Sequence, residues 1–169
     1  MHELSVEVLM LHADHTGTWS YRHITVPPGP GESPDEAARR ACGLAPGAQD
    51  SVVHSTSWRY DRERARVVLT YAVCPDPVPG ASRTVLGDLP IARGSAPASP
   101  SPERIEVANV AAHAIQHLAF LMAADPVVGA ALARRPAIAA ALESCSPVLA
   151  GELGGAGARS FDRAAAAGR

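Results

Sequence analysis

From Ser101 to Ala124 the chain reads S-P-E-R-I-E-V-A-N-V-A-A-H-A-I-Q-H-L-A-F-L-M-A-A, and Asp125-Pro126 stops it. Ser101 suits an N-cap, Pro102 the first helical position, and Glu103 the positive end of a helix dipole. At about 100° per residue, Glu106, Asn109, His113, Gln116, His117 and Phe120 fall on one narrow stripe. Ile105, Val107, Val110, Ile115, Leu118, Leu121, Met122 and the alanines cover the rest of the circumference. Such a helix has almost no face to give to water, so the fold must bury it and its polar seam must line something.

What surrounds it is limited by size and composition. With 169 residues the chain suffices for one domain with a core and is short for two. Its hydrophobic fraction is 47%, yet only 4% is aromatic, so burial must come from many close contacts between small side chains. A formal net charge of −2 gives no field to attract nucleic acid or an anionic membrane. Every cation other than histidine is arginine. Cys42, Cys74 and Cys145 are widely spaced and odd in number, which points to free thiols in a reducing compartment. The N-terminus lacks a signal-peptide pattern, and the helix comes closest to a membrane span, with its His, Asn and Gln residues arguing against lipid. A cytoplasmic location without membrane contact is expected.

Taken in order, Leu4–His12 and Thr18–Val26 read as a β-hairpin around the turn at 14–17. After the Pro/Gly run at 27–31, Ser33, Pro34 and Glu36 form a capping box, and Gly43 is a C-terminal stop for a short helix. Ser51–Tyr60 alternates, placing Val52, His54, Thr56, Trp58 and Tyr60 on one face, and Arg66–Cys74 returns as a strongly apolar strand. The Pro/Gly/Ser-rich stretch 75–101 is long for a plain loop and is expected to hold a short edge strand, with a mobile remainder near 94–100. Asp125-Pro126 and Pro136 start two more helices, 147–153 offers one further turn, and 154–169 is low in complexity. The expected fold is α+β: a mixed β-sheet with packed helices and a C-terminal helical extension. The expected domain is single and spans 1–153, with a core at 4–92, the extension at 101–153 and a tail at 154–169.

At Pro28–Leu44 the chain resembles the Nudix family, whose signature G-x5-E-x7-R-E-U-x-E-E-x-G-U (U aliphatic) sits on a strand–loop–helix unit. Gly29, Gly31-Glu32-Ser33-Pro34, Ala37-Ala38, Arg40 and Gly43-Leu44 echo that signature in order, and the flanking strands at 4–26 and 51–75 are similar to Nudix strands. The resemblance implies a Nudix-like fold. It also exposes a loss: Ala41 stands where the first glutamate after the arginine would be, and the later pair is deleted. Hard divalent ions need several carboxylate oxygens. Ordinary Mg-dependent diphosphate hydrolysis is therefore not expected, and no cofactor is assigned.

The remaining chemistry rests on imidazoles. His113 and His117 stand at i and i+4, but Ala114 replaces the glutamate of the zinc-protease motif, and His54, His12, His15 or Glu106 could supply a third ligand only through folding, so no metal site is assigned. His113, His117 and His54 are the candidate catalytic groups, as proton carriers in a pocket. Asn109, Gln116, Trp58, Tyr60 and Glu32 are candidate ligand-binding residues. Cys42, at the negative end of a helix dipole, is not a nucleophile candidate. Arg59, Arg62, Arg64 and Arg66 interleave with Asp61 and Glu63 and read as solvated charge. Two function classes follow. One is a non-canonical enzyme or small-molecule-binding protein with a His-lined pocket. The other is a catalytically silent binding or oligomerisation module whose Ala-rich helices make a homodimer or a partner contact. A residual Nudix-type hydrolase is the third reading.

Overall fold

The computed structural model describes residues 3–99 and 102–145. In chain order the elements are β1 (Glu3–Ala13), β2 (Trp19–Val26), α1 (Pro34–Cys42), β3 (Val52–Asp61), β4 (Arg66–Cys74), β5 (Thr84–Leu86), α2 (Val107–Ala124), α3 (Pro126–Ala133) and α4 (Pro136–Glu143). The strands form one mixed sheet in the order β3-β4-β1-β2-β5. β1 and β4 run parallel at its centre, and every other neighbouring pair is antiparallel. The fold is α+β, with helices on both faces of the sheet.

The central strands are apolar on both sides because both sides are covered. Val6, Val8 and Met10 meet Tyr71, Val73 and the α1 residues Ala37 and Ala38 on one face. Leu9 and Leu11 meet Ala72, Cys74 and the α2–α4 layer on the other. Small residues set the distance between layers: Ala37, Ala38, Ala111, Ala112 and Ala114 are all fully buried. A Cβ on Gly129 of α3 would lie 2.7 Å from the Met122 carbonyl oxygen of α2, so only glycine permits that approach.

α1 begins with the expected capping box: the Glu36 amide donates to Ser33 Oγ, and the Ser33 amide donates 2.8 Å to the Glu36 carboxylate. It ends at Gly43, whose left-handed φ of 74° suits glycine. β5 occupies the edge position expected within 75–101 and pairs with β2. α2 starts later than its Ser-Pro signal suggested. Pro102–Glu106 precede the helix, and the Asn109 side-chain oxygen accepts the Glu106 amide at 3.0 Å to open it at Val107. Ser101, the turn expected at 147–153 and the tail at 154–169 lie outside the described residues. By length and mean hydropathy (1.4), α2 is long and apolar enough to cross a bilayer, and 56% of that window is buried inside the fold, as in a core helix.

The larger surprise is in β3. Ser55 pairs with Tyr71 and Ser57 with Thr70, so Thr56 is an extra residue in a β-bulge. Parity reverses after it. His54, opposite Ala72, looks toward α2, whereas Trp58 and Tyr60 pair with Leu69 and Val67 on the α1 face. The expected single face of His54, Thr56, Trp58 and Tyr60 is thus broken by one inserted residue. The same reversal brings Arg59 to the inner face. It is no solvated charge: its guanidinium makes two hydrogen bonds to Glu7 of β1.

Glu7 is 1% exposed. Its carboxylate accepts from Arg59 on β3, from Thr70 Oγ1 on β4 (2.8 Å), and stands 3.0 Å from His23 Nε2 on β2. Burial alone would raise its pKa. The hydrogen bonds from Arg59 and His23, the Arg59 charge and the Thr70 hydroxyl outweigh burial and hold it at about 2, below the usual 4.5. Because the folded value is depressed, this stabilisation is complete above about pH 4.5 and is lost as pH falls toward 2. Glu7→Gln is expected to cost about 3 kcal/mol at neutral pH, since it leaves Arg59 without its partner. Denaturant titrations across the acid range check this: the gap between wild type and variant should close between pH 4.5 and 2.

Candidate functional site

α2 lies against β3 with its histidines inward. The His117 ring centroid is 5.5 Å from that of His54 and 6.1 Å from that of Phe120. His113, one turn earlier, faces the bulge at Thr56. The structure therefore brings His54, His113 and His117 into one seam, but as packed groups: His113 is 8% exposed and His117 3%. His54 Nδ1 lies 2.8 Å from the Ser55 carbonyl oxygen, which fixes the proton on that nitrogen.

His113 is the anomaly of the seam. Neither ring nitrogen has a hydrogen-bond partner among the described residues. Burial lowers its pKa, and the nearby Thr56 backbone offsets only part of that effect without completing a hydrogen bond. The ring is thus neutral at neutral pH. Among the described residues no group of three His, Cys, Asp or Glu side chains is placed to hold a metal ion.

The expected ligand-binding residues do not converge. Asn109 spends its amide on the Glu106 N–H and on the Pro90 carbonyl (3.0 Å). Gln116 is half-buried and makes no side-chain hydrogen bond among the described residues. Trp58 is 70% exposed on the far face. Tyr60 shares that face. Glu32 pairs with Arg40 through both carboxylate oxygens and accepts the Gly29 amide at 2.6 Å. The Arg40 hydrogen bond, with the Gly29 amide, lowers its pKa to about 2.

The other carboxylates of this unit are equally engaged. Asp35 accepts the Tyr71 hydroxyl, and Glu36 closes the capping box. The thiols offer no nucleophile: burial pushes Cys42 up to about 11 and Cys74 to about 12, and raises Cys145. All three are unbridged.

A concavity that sequence reasoning missed opens at the carboxyl ends of β1 and β4. It is a groove of about 620 Å³. His12 and Ala13 end one side, Gly43, Leu44 and Ala45 leave α1 on the second, and Arg135 to Ile138 start α4 on the third. Pro75, Asp76, Pro77 and Pro79 line it after β4. Asp76 is held rigidly: Arg22 donates twice (2.7 and 2.8 Å), Arg83 Nε once (2.8 Å) and the Val78 amide once (2.9 Å). Burial would raise the Asp76 pKa, but these donors lower it. The only trace of this groove in the sequence is the Cys-Pro-Asp-Pro run after an apolar strand. A second depression of about 420 Å³ is lined by Arg93, Ser95, Glu103, Arg104 and Asn109.

Comparison with protein-family models, with curated proteins and with solved structures returned no match. The assignment of function therefore rests on geometry and residue chemistry.

An unsatisfied buried imidazole costs about 1–3 kcal/mol. His113→Leu is expected to raise the melting temperature at neutral pH. A histidine with a depressed pKa weakens the fold as pH drops below its ordinary 6.5, because the unfolded chain binds the proton more readily. Thermal melts from pH 8 to 5 should show the gain from His113→Leu widening toward acid.

Proposed function

We propose that this chain is a Nudix-like protein without Mg-dependent diphosphate hydrolysis, acting as a small-molecule-binding protein through the groove at the β1/β4 edge. One observation carries the proposal: each carboxylate of the loop–helix unit, Glu32, Asp35 and Glu36, is committed to an ion pair, a tyrosine hydroxyl or a cap. A magnesium ion bound there would have to break those contacts before gaining oxygen ligands. Where the resemblance implies further glutamates, the chain presents Ala41 to Ala45, and the last three of these residues line the groove. The site is then apolar where a hydrolase would be acidic.

The histidine seam belongs to this reading as packing beneath the helical layer rather than as an acid–base pair. Cytoplasmic residence is part of the proposal, supported by three unbridged thiols. A second reading, a catalytically silent interaction module, is favoured by exposed Trp58 on the edge strand β3. It predicts a concentration-dependent dimer that Trp58→Ser dissolves, which sizing chromatography measures.

For the first reading, incubation with nucleoside diphosphate derivatives and Mg²⁺ should release no phosphate above the protein-free rate. Glu32→Gln should lower stability without altering any turnover. Magnesium-dependent release that vanishes in Glu32→Gln would establish the hydrolase instead.

A further inference from the structure

We propose that the uncovered half of the sheet's α1 face is the contact surface of a two-fold homodimer. This rests on the interaction-module reading, and adds the partner, a second copy of this chain, and the face it uses. α1 buries the other half of that face, against Val8, Met10, Tyr71 and Val73. Trp58, Tyr60, Val67 and Leu4 lie outside the cluster that α1 covers. The strand register sets them in two rows on the same face. Trp58 stands beside Leu69 and then Val6, and Tyr60 stands beside Val67 and then Leu4.

Neither row carries a charged side chain, so two identical copies can meet there without opposing like charges. The strip is also uneven in height. At the β3 edge Trp58 is 70% and Tyr60 44% exposed, whereas Leu4, Val67 and Leu69 are half-buried. A two-fold axis through the strip seats the aromatic ridge of each copy on the aliphatic floor of the other. One patch then serves both sides, which is the geometry of an isologous contact between two packed sheets. A lipid surface fits less well, because the charges beside the ridge are of both signs: Arg62 neighbours Glu63, and Arg64 and Arg66 pair with Asp61.

The size of the strip sets the strength of the contact. With about 150–250 Å² for a whole aromatic side chain, the two rings expose roughly 200–250 Å² per copy. Doubling this and adding the aliphatic floor keeps the interface near or below about 1,000 Å², the range of reversible rather than obligate contacts. The strip lies at the amino ends of β1 and β4, opposite the groove at their carboxyl ends, so pairing leaves the groove open.

Sedimentation equilibrium of the full chain, from about 10 μM to about 1 mM, should show a reversible monomer–dimer exchange. Trp58→Ser and Tyr60→Ser should each weaken it about tenfold or more, with unchanged far-UV circular dichroism. In a mixture of ¹³C-labelled and unlabelled chains, isotope-filtered NOEs should connect the Trp58 ring of one copy to Val67, Leu69 or Leu4 methyl groups of the other.

A dimer that ignores both substitutions, or whose intermolecular NOEs lie on the helices, overturns this face and leaves the interaction module. A monomer throughout the range overturns the homodimer and the module reading's dimer together. Trp58-dependent sedimentation with phosphatidylcholine–phosphatidylglycerol vesicles, without a dimer, overturns the second copy in favour of a lipid surface.

Discussion

One buried carboxylate holds the sheet together. Glu7 sits in the central strand and ties three others to it, through His23 on β2, Arg59 on β3 and Thr70 on β4. An ionised carboxylate inside a protein is tolerable only when its oxygens are filled by donors. That requirement reaches outward. Arg59 can meet Glu7 only because the bulge at Thr56 reverses the parity of β3. The bulge in turn sends Trp58 and Tyr60 to the opposite face and leaves the Thr56 backbone beside His113. One electrostatic demand thus shapes the edge strand and the bed on which α2 lies.

The helical layer answers a different constraint. With few aromatic side chains, the chain gains burial by bringing backbones close, which is why alanines pack against the sheet and Gly129 against the Met122 carbonyl. Close packing leaves little room to satisfy a polar group. His113 is the residue that suffers: among the described residues neither of its ring nitrogens completes a hydrogen bond, with only the Thr56 backbone nearby.

A second buried carboxylate organises the other end of the sheet. Asp76 gathers Arg22 from β2 and Arg83 from the loop before β5, and its own amide donates 2.7 Å to the Leu11 carbonyl. A proline-rich segment with few backbone donors is fixed in this way against the strand ends. The groove between α1 and α4 follows from that anchoring, since the two helices lie on opposite faces and their termini meet only at the sheet's edge.

Local chemistry was enough for the elements. The capping box at Ser33–Glu36, the stop at Gly43, the apolar alternation of β1, β2 and β4 and the short β5 all depend on neighbours within a few residues, so they are legible along the chain. The expectation of an α+β fold with a mixed sheet followed from their order. The start of α2 was misread because a Ser-Pro-Glu signal and the Glu106/Asn109 pair are both adequate caps, and the contact of Asn109 with Pro90, nineteen residues away, goes with the later one. Strand parity was misread because a bulge is dictated by its distant partners, Glu7 and Thr70, and leaves no mark in the pattern of β3 itself. Beyond the Cys-Pro-Asp-Pro run, the groove left nothing to read along the chain. It joins residues near positions 12, 44, 76 and 136, and only the parallel pairing of β1 with β4 puts them side by side.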